Sequence, residues 1–266
     1  MTMNDNRITM NYPKLLQHLI FLTILLAASS CFLTERDHTL KPEEYRKLGM
    51  PDHKKVWTND DYVSANITLS SLKINDPLSL PRKSSKKSGD LFKRMVNEEN
   101  LSFIHDTILP LRTRAYTIQY FTRFQTEMEQ MYTIEYNDRN YYSEELLDLH
   151  IFGLAVHDRM LELGWIINKS DDEDVEGIKS GMQAVTFNYL KLIPRLLGEL
   201  VKTDIYSGEG LERLSKAISS SLQTNYEWMA PSDKSFLSSE FKNALGNSKS
   251  AEVKSNLQDC IDILDR

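Results

Sequence analysis

The most concentrated chemistry in the sequence is a run of basic side chains in an otherwise acidic chain. Six cations fall within thirteen residues of the segment SLPRKSSKKSGDLFKR: Arg82, Lys83, Lys86, Lys87, Lys93 and Arg94. The whole chain has 38 acidic and 32 basic residues and a formal net charge of −6. Such a cluster predicts a site for an anion, such as a phosphorylated lipid headgroup, a glycan phosphate or an acidic partner. A solvated flexible loop has the same composition, so that interpretation stays open.

Two other groups have side chains that bind metal ions, but their spacing argues against a metal site. In the segment DDEDVEG (171–177), carboxylates stand at alternate positions as in a calcium loop, yet Gln183 takes the twelfth position, where a glutamate normally closes the cage. His150 and His157 would lie about 10.5 Å apart along a helix axis, which is too far for one ion. We therefore expect no metal and no cofactor, and interpret the acids as favourable charges at a helix N-terminus.

The sequence contains none of the common catalytic motifs. It has no G-x-S-x-G motif and no P-loop, and Gly208 and Gly210 lack the third glycine and the preceding strand of a dinucleotide-binding loop. These absences favour a non-enzymatic protein, although a hydrolase with dispersed Ser, His and Asp residues would have no local signature. The acidic balance argues against nucleic-acid binding, which needs basic residues facing the phosphates.

The N-terminus carries an export signal. Arg7 and Lys14 precede an apolar core of about ten residues (19–28), the length of a signal-peptide core and too short to span a bilayer. The small residues AASS follow, and then Cys31. This order resembles a bacterial lipoprotein signal with its lipobox. The resemblance implies that a diacylglycerol is joined to the Cys31 thiol, that the chain is cleaved before Cys31, and that acyl chains such as palmitate anchor the protein in a membrane.

Two alternatives for this N-terminus stay open. An ordinary secretory signal would be cut near Ser30, with Cys31 there by chance, and an uncleaved anchor helix would begin near Leu15. The only other cysteine in the chain is Cys260, so the position of Cys31 directly after the small residues favours the lipoprotein.

The resemblance also bears on location and domain organisation. Phe32 follows Cys31 where similar proteobacterial lipoproteins retained in the inner membrane have an aspartate, so we expect the outer membrane of the cell envelope. We divide the chain into a signal peptide (1–30), a polar tether (31–57) and a helical domain (58–266). Cleavage leaves 236 residues and removes two basic residues and one acidic residue, so the net charge becomes −7. That length supports one sizeable core without a disulfide.

The hydrophobic pattern predicts an all-α protein, a bundle of about six to eight helices built on a long antiparallel helix hairpin. The hairpin joins helices over about 111–136 and 143–167, each with apolar residues at spacings of three and four. The second helix is apolar on more than one side, so we expect it to be the most buried. Strand-like alternation is absent from the sequence.

Shorter periodic segments complete the predicted bundle. Further helices are predicted over about 59–73, from about 88, from within 170–177 to about 203, and over 208–224, 232–245 and 249–264. Thr58 or Asn59 can cap the first of these, and Ser232 and Ser248 the last two. Pro194 should kink or break the fourth long helix, because it lacks the N–H that an interior position requires.

Three functions are compatible with these features. The first is a non-enzymatic membrane-anchored envelope lipoprotein that acts through contacts with proteins or with an anionic envelope component. The second is a ligand-capturing lipoprotein that feeds a transporter, with an aromatic pocket between the long helices lined by Tyr116, Tyr120, Tyr132 and Tyr136. The third is a hydrolase with dispersed catalytic residues. A flat apolar patch would favour the first, an aromatic pocket the second, and a deep polar pocket with shifted carboxylates or histidines the third.

Overall fold

The computed structural model describes residues 37–51, 56–136, 139–171, 175–179 and 181–266. The predicted signal peptide, Cys31 and the first part of the predicted tether lie outside the described residues. From Thr39 to Arg266 the chain forms one unit of mutually contacting elements.

Helices make up almost all of the regular structure. In chain order they are α1 (Pro42–Lys47), α2 (Asn59–Asn75), α3 (Gly89–Met95), α4 (Leu111–Tyr132), α5 (Ser143–Lys169), α6 (Glu176–Lys179), α7 (Met182–Glu199), α8 (Gly208–Asn225), α9 (Pro231–Asn247) and α10 (Ala251–Leu264). Short 3₁₀ helices cover Pro77–Ser79, Glu98–His105 and Tyr226–Trp228. Two two-residue strands, β1 (Glu135–Tyr136) and β2 (Arg139–Asn140), pair antiparallel in the turn between α4 and α5. The predicted all-α bundle is confirmed.

The predicted antiparallel hairpin is the pair α4 and α5. The Thr122 hydroxyl lies 3.0 Å from the Met160 sulfur, and Glu129, two turns further along α4, lies 2.7 Å from His150, far earlier on α5. Residue numbers therefore increase in opposite directions along the two helices, which makes the pair antiparallel. The first helix ends at Tyr132, four residues before the predicted end, because the chain turns there into the small β-hairpin.

The helix starts follow the capping chemistry of the sequence in some places only. The Asp61 carboxylate accepts hydrogen bonds from the Thr58 backbone N–H and hydroxyl, which fixes the start of α2 as predicted. The predicted caps of the last two helices are wrong. α9 begins at Pro231, one residue before Ser232, since a proline fits the first helical position without needing its N–H. α10 is capped by Ser250, two residues after Ser248.

The predicted fourth long helix differs from the structure at both ends and at Pro194. A separate α6 precedes α7, and α7 ends at Glu199. Pro194 lies inside α7 without ending it. The flanking residues Ile193 and Leu196 are fully buried, and tertiary packing of an apolar face stabilises a helix more than one missing hydrogen bond weakens it.

α5 lies between two hydrophobic cores. At 27 residues it is about 40 Å long. One face joins an N-terminal core with α2, α3 and α4 through Leu149, Phe152, Val156, Met160, Leu163 and Ile167. The other face joins a C-terminal core with α7 to α10 through Leu147, Leu154 and Leu161. The apolar residues on more than one side of α5 are therefore buried, as the sequence predicted for this helix.

The segment before α2 differs from the predicted polar tether. Tyr45, Met50 and Trp57 are each no more than 2% exposed and belong to the N-terminal core. The Tyr45 hydroxyl also donates a hydrogen bond to the Ser79 carbonyl at 2.6 Å. The packed domain therefore includes the chain from Thr39, about twenty residues earlier than predicted. Three isolated apolar side chains without helical spacing gave no periodic signal of this burial.

Candidate functional site

A polar cleft lies where α4, α5 and α7 meet beside the turn that follows α7. Its volume is about 790 Å³, within the range of sites for small molecules. It is lined by Thr126, Glu129, Gln130, Thr133, Ile134, Glu135, Asn140, Leu146, His150, Arg195, Glu199, Lys202, Asp204, Ile205 and Tyr206. Most of these residues are charged or polar, so the cleft is a candidate binding site.

Glu129 is the centre of the cleft and is only 7% exposed. Its carboxylate lies 2.7 Å from His150 Nδ1 and accepts a hydrogen bond from Arg195 Nη1 at 2.8 Å. The Gln125 amide donates a further hydrogen bond to it. Burial acts to raise the pKa of Glu129, but the hydrogen bonds from His150 and Arg195 outweigh burial and hold this pKa below its usual range. Glu129 is therefore an ionised, fully neutralised carboxylate.

Local sequence explains how these side chains meet. Gln125 and Glu129 are four residues apart on α4 and so share one face. Gly153 on α5 stands opposite, and a Cβ atom at that position would lie 2.5 Å from the Gln125 amide nitrogen. Any side chain at position 153 would therefore displace the Gln125 amide from its present place. A polar interruption in the apolar stripe of α4, opposite a glycine in α5, was the one sequence signal of this site, and it was missed.

A second carboxylate stands near the first at the edge of the cleft. Glu199 accepts hydrogen bonds from Lys202 Nζ and from the Tyr206 hydroxyl, both at 2.9 Å. Burial and the adjacent Glu199 raise the pKa of Tyr206, which keeps its hydroxyl a donor. Both of these cleft carboxylates therefore already have a cationic partner. With its pKa lowered, Glu129 is a weak base at neutral pH, so this pairing favours binding over proton abstraction.

A separate buried acid joins α5 to α8. Asp158 accepts hydrogen bonds from the Ser221 hydroxyl at 2.5 Å and from the Asn225 amide at 2.7 Å. The Tyr189 hydroxyl lies 2.8 Å from the Ser221 hydroxyl. Burial raises the pKa of Asp158 to about 7, and the hydrogen bonds from Ser221 and Asn225 offset only part of that rise. Sequence reasoning missed this group because Asp158 is more than sixty residues from Ser221 and Asn225.

The basic segment is partly fixed to the domain. The Arg82 guanidinium lies 4.2 Å from the centre of the Tyr141 ring, and Lys83 forms an ion pair with Asp148 at 2.6 Å. Lys87 Nζ donates a hydrogen bond to the Thr39 carbonyl at 3.1 Å. These contacts already occupy half of the predicted anion-binding cluster.

The rest of that cluster lies nearer to solvent. Lys86 is exposed, Arg94 is half-buried, and Lys93 lies 3.8 Å from Asp90 in an exposed pair worth little energy. Gly89, at the start of α3, is buried against the Lys83 carbonyl, so the segment is not an open loop at that end. The anion site at Arg82, Lys83, Lys86, Lys87, Lys93 and Arg94 stays a prediction.

The predicted aromatic pocket is not formed by its four tyrosines. Tyr116, Tyr120 and Tyr136 are 46%, 53% and 42% exposed. Tyr132 is fully buried in the N-terminal core and donates a hydrogen bond to the Pro81 carbonyl at 2.9 Å. Tyr116, Tyr120 and Tyr132 lie on different sides of α4, and Tyr136 lies beyond that helix in β1.

The two histidines of α5 have separate partners, as their spacing predicted. His150 contacts Glu129, and His157 donates from Nδ1 to the Gly153 carbonyl at 2.8 Å. Burial lowers the pKa of His157. Among the described residues no group of three or more His, Cys, Asp or Glu side chains has the geometry of a metal site. Asp172 and Asp174 of the calcium-like segment lie outside the described residues.

Comparison with known proteins gives no family for this chain. Within the described ranges, no helix has both the length and the apolar character needed to cross a bilayer. Comparison of the chain with protein-family models, with curated proteins and with solved structures found no match.

Proposed function

We propose that the protein is a non-enzymatic, lipid-anchored protein of the bacterial cell envelope whose helical domain acts through contacts with proteins or other envelope components. The observation that carries this proposal is the order of basic flank, short apolar core, small residues and Cys31. Several acyl chains on one cysteine would anchor a soluble domain stably, since each buried methylene adds about 0.8 kcal/mol. Phe32 after the cysteine favours the outer membrane.

The state of the interior carboxylates supports a binding role for the domain. Glu129 and Glu199 each have a cationic neighbour within 2.9 Å, in Arg195 and Lys202. A general base needs a lone pair that is available at the operating pH, and the Glu129 carboxylate, whose pKa is lowered, does not supply one. The Arg195–Glu129 pair also joins α7 to α4, as a scaffold for contacts requires.

An exposed tryptophan supports contacts with a partner. The rings of Trp165 and Trp228 stack with their centres 5.8 Å apart and their planes 14° apart. Trp165 is 44% exposed, whereas Trp228 is half-buried against the C-terminal core. Tryptophan is strongly enriched among the residues that dominate protein–protein binding energies. The exposed Trp165 ring, held in place by Trp228, therefore supports a contact role.

Replacing Cys31 tests the anchor. In Cys31→Ala, the acylated thiol is lost, so the protein should move from the membrane fraction to the soluble fraction or persist as an uncleaved precursor. Mass spectrometry of the mature N-terminus should find acyl chains on Cys31 in the wild type. Cys260→Ala is the matched control, because Cys260 is the other cysteine and is buried in the C-terminal core. Unchanged membrane retention of Cys31→Ala, with a mature start elsewhere, would contradict the proposal.

A further inference from the structure

The packed domain begins beside the basic segment. The Thr39 and Ser85 hydroxyls lie 2.7 Å apart, and Lys87 Nζ donates a hydrogen bond to the Thr39 carbonyl at 3.1 Å. The next residue is held as well, because the Leu40 N–H donates to the buried Tyr45 hydroxyl at 3.3 Å. The point at which the domain begins is therefore fixed against the basic segment.

The region around this point has a positive charge, unlike the chain as a whole. We define the entry region as residues 39–49 and 82–95, which contain nine basic and three acidic side chains. Asp148 neutralises one of the nine, Lys83, and an excess of basic side chains remains. Since the whole chain has a net charge of −6, the other parts of it together are strongly acidic. The charge of this domain is therefore separated, with its positive part where the domain begins.

The exposed cations of the entry region have little to neutralise them. Lys41, Lys47 and Lys86 are exposed, and none of them forms an ion pair with another described residue. Lys93 has only its exposed contact with Asp90 at 3.8 Å. Because these lysines are spread over two separate segments, a large anionic surface can meet several of them at once, whereas a small anion cannot.

The proposed anchor keeps the entry region near a membrane. Eight residues of chain lead from Cys31 to Thr39. At about 3.5 Å per residue they span at most roughly 28 Å, even when fully extended. With Cys31 acylated, the start of the domain therefore stays within that distance of the lipid surface. Basic side chains that come close to an anionic membrane are attracted to it, and this attraction falls off within a Debye length.

We propose that the entry region docks on an anionic lipid surface and so orients the domain, with its acidic parts turned away from the membrane. This inference rests on the acylation of Cys31 proposed above, which brings the region within reach of the lipids. Attraction of the entry region and repulsion of the acidic parts favour the same orientation. The phosphate of a lipid headgroup then supplies the anion that the basic segment predicts.

Protection of lysines from acetylation tests the orientation. The acylated wild-type protein is reconstituted into vesicles of phosphatidylcholine, with or without phosphatidylglycerol, and treated with N-hydroxysuccinimidyl acetate. Mass spectrometry should show Lys41, Lys47 and Lys86 modified about threefold more slowly on the anionic vesicles, because docking covers their amines. Lys216 and Lys254, exposed on α8 and α10, should react equally on both. The protection should disappear as salt rises from about 0.05 to 0.5 M, since the Debye length shrinks.

A charge-reversed variant separates docking from a general effect of charge. Lys86→Glu/Lys93→Glu should abolish the protection of the remaining entry-region lysines. Lys216→Glu/Lys254→Glu, the matched control, changes the net charge equally and should keep that protection. All four lysines are exposed, so both variants should melt as the wild type does. Equal acetylation on the two kinds of vesicle, or equal protection in the two variants, would overturn the docking and leave the anchor intact. Failure of the wild type to enter either vesicle would contradict the anchor, and this inference with it.

Discussion

The two cores on either side of α5 are built from different side chains. The N-terminal core is rich in aromatic residues, among them Tyr45, Trp57, Tyr62, Phe92, Phe121, Phe124, Tyr132, Tyr141, Tyr142 and Phe152. The C-terminal core is mainly aliphatic, with Leu192, Ile193, Leu196, Leu211, Leu214, Ile218, Leu222, Leu237, Leu257 and Ile261. One helix is thus packed against two kinds of interior.

The difference follows from the backbone that each core covers. The N-terminal core encloses the largely irregular chain between α2 and α3, whose carbonyls at Pro77, Ser79 and Pro81 accept hydrogen bonds from tyrosines. Tyr45, Tyr132 and Tyr142 donate hydrogen bonds to the carbonyls of Ser79, Pro81 and Pro77 at 2.6, 2.9 and 3.1 Å. A tyrosine fills volume and supplies a donor at once, whereas helices satisfy their own backbone and can pack on leucine. Aromatic residues are thus frequent where the core covers irregular backbone, and aliphatic residues where it covers helices.

Truncation on the two faces of α5 should have the largest effect. Phe152→Ala should lower the free energy of unfolding by about 3–5 kcal/mol, since Phe152 is 2% exposed and stacks near Tyr62. Leu154→Ala, on the opposite face, should cost about 2–5 kcal/mol. Chemical denaturation followed by circular dichroism measures both. One shared transition means that the cores unfold together, while a loss below about 1 kcal/mol for Phe152→Ala would show that its face is not a core.

The acid between α5 and α8 should make the aliphatic side sensitive to pH. The pKa of Asp158 is about 7 in the fold and near its ordinary 3.8 in the unfolded chain. Between these values the folded protein keeps a proton that the unfolded chain has lost, so stability falls as pH rises from about 4 to 7 and is then level.

Asp158→Asn should remove this contribution and stabilise the protein at pH 8 by on the order of 4 kcal/mol, since the pKa of Asp158 is raised from 3.8 to about 7 and one pKa unit corresponds to about 1.4 kcal/mol. Urea unfolding at about pH 5 and 8 measures the effect, since the unfolded chain has already lost most of its proton at the lower value. Glu129, whose pKa is lowered, loses its stabilising effect only below its ordinary 4.5. The lowered pKa of His157 and the raised pKa of Glu145 act in wild type and variant alike, so the difference between the two pH slopes isolates Asp158. Equal pH slopes in wild type and variant would contradict the prediction.

Removal of one tyrosine hydroxyl should have the smallest effect of the three and bears directly on the aromatic core. Tyr132→Phe keeps the ring but leaves the Pro81 carbonyl without this donor, which should cost roughly 1–2 kcal/mol. Tyr116→Phe is the matched control on the same helix, because that ring is 46% exposed, and it should change stability little. Thermal unfolding compares them. Equal stabilities would mean that the buried hydroxyl groups do not distinguish the two cores.

The sequence predicted the aliphatic half better than the aromatic half. Leu211, Leu214, Ile218 and Leu222 recur at spacings of three and four, and α8 ends within one residue of its predicted end. Trp57 has no such periodicity, because its place in the core is set by long-range packing. Local periodicity predicts helices that bury one face. It does not predict which irregular segment packs against a given tyrosine.

The candidate site was unpredictable for a related reason. Gln125 and Glu129 are visible as a polar pair on α4, but Arg195 meets Glu129 across 66 residues of chain. The prediction that Pro194 would kink or break its helix also concealed Arg195 as part of an ordered wall. The basic segment was conspicuous in the sequence, yet Lys83 and Arg82 make contacts inside the protein that charge counting does not reveal.

The position of α5 between the two cores affects how the chain folds during its synthesis. Ribosomes add about 5–20 residues per second, and the chain emerges from its N-terminus. The partners of Leu147, Leu154 and Leu161 lie on α7 to α10, which end at Leu264. Dividing the number of residues between the end of α5 and Leu264 by this rate gives roughly 5–20 s. During this time the three leucines of α5 lack the side chains that cover them in the folded protein. A holding chaperone that binds leucine-rich segments would therefore find its target on this helix before the fold can close.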